Sequence, residues 1–145
     1  MKRPLIALAI SLCPLVSAAE DISYDTALPF DDVLFGLENA IIDQGLKIDN
    51  ISYVGDMLER TRADVGSDVV LFINAQVFSF CSAALSRKVM EADPMNIVFC
   101  PYNIYVMERA DVPGTTFIGY RAFPDGPMQQ VQELLDEIVA DALAE

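Results

Sequence analysis

The chain has 145 residues, no histidine, and 22 Asp and Glu against 9 Lys and Arg, for a formal net charge of −13. So acidic a surface repels nucleic-acid phosphates and anionic lipid, which removes both from the expected partners. The missing histidine excludes Ser-His and Cys-His nucleophiles and most catalytic zinc sites.

The first element is a targeting segment. Lys2 and Arg3 precede an apolar stretch from Leu5 to Val16, and Ser17-Ala18-Ala19 supply small residues before Glu20. That is the pattern of a cleavable secretory signal with cleavage after Ala19. The stretch is too short for a membrane span, which takes roughly 20 apolar residues, and Pro14 interrupts it. Leu12 before Cys13 argues against a lipidated cysteine, since that position asks for a small residue. Removing 19 of the 145 residues leaves 126, the size of one domain, numbered 20–145. Lys2, Arg3 and Cys13 leave with the signal, so 7 basic residues then face 22 acidic ones, a net charge of −15. No later segment reaches spanning length. A periplasmic protein without a membrane span is the expectation.

Ile22 to Thr26 alternates weakly and predicts a first strand. After Pro29, the apolar stripe Phe30, Val33, Leu34, Leu37, Ala40 and Ile41 has helical spacing, and Asp31 and Asp32 suit the positive end of that helix. Gly45 ends it. LKIDNISYV, residues 46–54, predicts a strand with a bulge or break at Asp49-Asn50, where the alternation slips. Met57 to Asp64 predicts a short helical turn closed by Gly66. VVLFINAQVF, residues 69–78, predicts a long buried strand. Phe80, Ala84, Leu85, Val89 and Met90 then recur at helical spacing until Asp93-Pro94. NIVFCPYNIYVME predicts the next strand, with Tyr102, Ile104 and Val106 on one face. Pro101 has no ladder donor, which implies an edge strand or a bulge. A turn at Val112-Pro113-Gly114 leads to TTFIGYRAF, a hairpin partner. Val131, Leu134, Leu135, Ile138 and Ala142 mark a final acidic helix. The order β-α-β-β-α-β-β-α, with a short helix after the second strand, predicts an α+β fold in two layers, helices on a mostly antiparallel sheet.

The mature chain keeps two cysteines, Cys81 and Cys100. Cys81 stands where a strand turns into a helix and Cys100 where the chain returns, so the two meet if their strands are neighbours. In an oxidising compartment an even cysteine count reads as a disulfide, worth roughly 3 kcal/mol over a loop of this length. A redox pair is the second reading, supported by the helix start near Cys81 but lacking a Cys-x-x-Cys spacing. Two thiolates with thioethers from Met90, Met95 or Met107 are the third, suited to a soft ion such as Cu(I). No other cofactor is implied.

Signals of catalysis are thin. Asp31-Asp32 and Glu133-Asp136-Glu137 read as solvated helix faces, and Glu108 and Arg109 as turn-flanking charges. The polar and aromatic group Asn74, Gln76, Tyr102, Asn103, Tyr105 and Tyr120 falls on predicted strands. If it projects from an open sheet face, it lines a small-molecule pocket or a dimer interface; otherwise it is hydrogen-bonded within the sheet.

The run FCSAALSRKVMEADPMNIVFCPYNIYVMER, with PFDDVLFGLENAIIDQGLKI before it and PGTTFIGYRAF after it, resembles the bacterial domain of unknown function family 302. Its most specific part is the turn Ala92-Asp93-Pro94, followed by Pro101 and the strand residues Ile104 and Val106. The resemblance implies a compact α+β domain that tends to dimerise. It also places Cys81 and Cys100 at the positions of exported members with a cysteine on each side of that turn. It implies no reaction, ligand or catalytic residue. The expectation is therefore a non-catalytic domain, a homodimer, that binds a small molecule or a periplasmic protein at its sheet face with Cys81 and Cys100 bridged. The alternative is a thiol-active or soft-metal accessory protein using that pair.

Overall fold

Five strands, each antiparallel to its neighbours, form one sheet in the computed structural model, which describes residues 21–144. The expected signal segment lies outside the described residues. The strands are β1 (Asp21–Thr26), β2 (Lys47–Ser52), β3 (Phe72–Cys81), β4 (Tyr102–Arg109) and β5 (Thr116–Arg121), and they lie in the order β1-β5-β4-β3-β2. Four α-helices join them: α1 (Phe30–Asp43), α2 (Val54–Thr61), α3 (Ala83–Ala92) and α4 (Gln129–Ala142), with a 3₁₀ helix over Pro94–Phe99. The α+β fold is as expected.

Helices α1 and α4 pack together on one face of the sheet. The stripe Val33, Leu37 and Ile41 meets Val131, Leu135 and Ile138, all fully buried. Beneath them lie Phe78 and Phe80 of β3, Tyr102, Ile104 and Val106 of β4, and Ile118 and Tyr120 of β5. This alternation, one residue in two, is what period-2 patterning delivers when a single face is covered. Gly36 lets the two helices touch: a Cβ there would lie 2.5 Å from the Ala142 carbonyl oxygen. Burying a Leu or Ile side chain contributes about 1.5–3 kcal/mol, so this layer dominates the stability.

The register of β2 against β3 shifts between Ile48 and Asn50, the bulge expected at Asp49. Other details depart from the sequence pattern, beginning with Tyr53 and Val54, expected to end the second strand, which cap and open α2. Residues 96–99, expected as strand, belong to the 3₁₀ helix, because Asp93 caps it: its side chain accepts from the Met95 backbone N–H at 2.9 Å and Pro94 starts it. The long buried strand expected over residues 69–78 begins at Phe72 and runs on to Cys81, since Lys47 to Ser52 pair with Val77 to Cys81, and it is buried only at Phe78 and Phe80, which lie under the helices. Pro101 marks neither an edge nor a bulge. Strand β4 lies in the middle of the sheet and pairing begins at Tyr102, so Pro101 stands just outside the ladder and no N–H is missed.

Candidate functional site

The two cysteines are brought together by the return of the chain around α3. Cys81 closes β3, Ser82 caps α3 by accepting from the Leu85 N–H at 3.3 Å, and the 3₁₀ helix delivers Cys100 beside the start of β4. Their Sγ atoms stand 2.8 Å apart, half-buried, with Ser86 Oγ 3.8 Å from Cys100 Sγ. Ser86 also shares a hydrogen bond of 2.8 Å with the Tyr102 hydroxyl. Burial pushes the Cys81 thiol up to about 12, helped by the hydrogen bond and charge of Cys100 and by Asp49, while the Tyr102 backbone N–H pulls the other way. Among the described residues no group of three or more Cys, Asp or Glu converges as metal ligands would. Of the candidate thioethers, Met90 is half-buried on α3, Met95 is exposed on the 3₁₀ helix, and Met107 lies five residues along β4 from the Tyr102 that opens it.

The face of the sheet opposite α1 and α4 carries a groove of about 490 Å³. Val77 and Met107 form its floor, Phe99 and Phe123 a wall, and Tyr105 and Arg121 stand in its lining. The wall is an aromatic chain: Phe99 meets Phe123 edge to face at 5.7 Å, and Phe123 meets Tyr102 at 6.2 Å. Tyr105 pairs in register with Gly119, where a Cβ would lie 2.6 Å from the phenolic oxygen. Glycine therefore leaves room for the ring against β5.

The six polar and aromatic residues expected to share a face divide between the two. Asn103 and Tyr105 project to the groove side. Tyr102 and Tyr120 alternate with them toward the core, where each is 1% exposed, though both also border the groove. Gln76 pairs with Val106 and Asn74 with Glu108, which puts both on the helix-facing side near its rim. Asn103 is engaged within the sheet, accepting from Ser79 Oγ at 2.6 Å and donating to the Pro101 carbonyl at 3.0 Å. Asp136, read from sequence as part of a solvated helix face, instead accepts from the hydroxyls of Tyr120 and, at 3.3 Å, of Tyr24. One carboxylate thus ties β1 and β5 to α4. Burial first, and then the Asp136 carboxylate, raise both phenols above their ordinary value. Phe123 and Arg121 were missed as site residues, because nothing in a linear pattern shows that the segment after β5 folds back beside Phe99.

A five-stranded antiparallel sheet with two helices across one face and a groove on the other defines a small α+β domain. The family model described as domain of unknown function DUF302 matches residues 22–144, and the chain belongs to that family. The chain is also similar to a solved structure, an uncharacterized conserved DUF302 protein from Bacillus stearothermophilus, at 20% identity and a TM-score of 0.59. That match covers 86% of this chain and 92% of the other, and supports the fold. No curated protein matches.

Proposed function

We propose that this protein is an exported, non-catalytic binding domain that holds a small molecule with an apolar body in the groove on the open sheet face. The groove carries the reading: about 490 Å³ lies within the range of small-molecule sites, and apolar side chains line it with few polar groups among them. Export rests on the signal pattern before Glu20, and it places the domain where Cys81 and Cys100 form a disulfide that anchors the groove wall to β3. Phe99 immediately precedes Cys100, so a bridge there holds the wall directly. We further propose a homodimer, whose contact is supported by the exposed run Val69, Val70, Leu71 and Ile73 in a chain otherwise rich in charge. The test of the groove is titration with the neutral probe N-phenylnaphthylamine. Saturable binding that Val77→Tyr abolishes is expected; no saturable binding to the folded wild type overturns the reading.

The second reading, a thiol-active or Cu(I)-binding pair, draws on the same 2.8 Å approach of the two sulfur atoms. The high proton affinity of Cys81 weighs against it, since thiolate is the reactive and metal-binding form. Mass spectrometry of periplasmic protein under native and denaturing conditions separates the two readings. A mature mass beginning at Glu20, two daltons light and free of alkylation, supports the bridge. Free labelling, or a copper mass lost on denaturation, supports the thiol site. The native mass also reports the dimer.

A further inference from the structure

Arg121 ends β5 on the groove side, exposed to solvent. In the register it lies directly opposite Asp21 of β1, yet no ion pair joins the two; the arginine ion pairs among the described residues are those of Arg62, Arg87 and Arg109. Arg121 is the one basic and Asp21 the one acidic side chain in the groove lining, and the rest of the lining is mainly apolar or aromatic. The Tyr105 hydroxyl in the same lining makes no side-chain hydrogen bond among the described residues, whereas Asn103 is occupied. A guanidinium on the rim of an apolar groove, with a free phenol in the same lining, is a recognition site for an acid.

We infer that the ligand of this groove is a small organic acid with a single negative charge, its apolar body on Val77 and Met107 beside the Phe99–Phe123 wall and its anionic head on Arg121 with Tyr105 as second donor. This rests on the groove being the binding site. The preference for one negative charge follows from Asp21 across the strand, which offsets part of the guanidinium charge, and from a net charge of −13 that repels a dianion. The apolar lining excludes acids without a hydrophobic body, because their heads gain little beyond what water gives an exposed charge pair.

The test uses two probes of similar ring system, the anion anilinonaphthalene sulfonate and the neutral N-phenylnaphthylamine, titrated into the full mature protein. The wild type is expected to bind the anion more tightly. Arg121→Gln weakens the anion about tenfold, Arg121→Lys restores part of the loss, and both leave the neutral probe within twofold. Tyr105→Phe weakens the anion by a few-fold. Val77→Tyr abolishes both, which separates the groove from the exposed Val69 to Ile73 surface. If the neutral probe binds and Arg121→Gln leaves the anion unchanged, the acid assignment falls and the groove stands. If neither probe binds wild type of unchanged melting temperature, the groove reading falls with it. An anion signal surviving in Val77→Tyr places the anion elsewhere and overturns the assignment.

Discussion

Replacing Gly119 by alanine tests the link between the sheet and the groove. Removing backbone freedom ordinarily favours alanine over glycine in a strand by about 0.5–1 kcal/mol. Here the added methyl would meet the Ile22 carbonyl oxygen of β1 and, at 2.6 and 2.9 Å, the Oη and Cζ atoms of Tyr105. Ordinary carbon contacts sit at about 3.5–4.0 Å, so the ring has to move by on the order of 1 Å and β1 has to shift as well. Overpacking of this kind costs about 1–3 kcal/mol, which outweighs the gain and leaves a net loss of about 1–2 kcal/mol. For a domain of this size that lowers the melting temperature by roughly 4–8 °C, read by circular dichroism and confirmed as a lower urea midpoint at unchanged slope. Gly119→Ala combined with Tyr105→Ala should recover only part of the loss, because the Ile22 carbonyl remains. Displacement of the ring should also weaken neutral-probe binding. A single variant as stable as the wild type would refute both the contact and the role assigned to glycine there.

Other outcomes follow from the remaining contacts. Cys81→Ser with Cys100→Ser should lower stability by roughly 3 kcal/mol relative to the oxidised protein, and dithiothreitol should reproduce the loss in the wild type; equal melting curves in all three would count against a bridge. In the reduced protein the raised Cys81 value means the folded state holds its proton more firmly than the unfolded chain. That contribution is complete below the ordinary value of 9.0 and lost as pH rises toward about 12, a decline in urea stability that the double serine variant should lack. Tyr120→Phe removes a hydrogen bond to the Asp136 carboxylate and should cost about 1.5–3 kcal/mol in urea unfolding, whereas Tyr24→Phe, at the exposed end of the same cluster, should cost less.

Much of this architecture is written locally in the sequence. The stripe from Phe30 to Ile41, the alternation of Tyr102, Ile104 and Val106, and the slip at Asp49 each specify an element because side-chain period and backbone geometry are coupled within a few residues. Where local signals compete, the sequence misleads. The apolar run Ile97-Val98-Phe99 has strand composition, but the Asp93-Pro94 start and the Asp93 side-chain bond to Met95 turn it into a 3₁₀ helix. Pro101 suggested an edge strand or a bulge because sequence shows the missing N–H and not where pairing begins.

The site is less legible. Sequence alone singled out Cys81, Cys100 and Tyr105, through residue type and compartment, and could not divide Tyr102, Tyr120, Asn74 and Gln76 from Tyr105 without the register. Sequence determined most of the helices and strands and the acidic, histidine-free chemistry, since those depend on residue type and near neighbours. The tertiary structure alone decided that Cys100 lies against Cys81, that Asp136 gathers two tyrosines, and that Phe123 and Arg121 join Val77 and Met107 around one groove. Each of those joins residues at least fourteen apart in the chain, and only the order and register of five strands sets such distances.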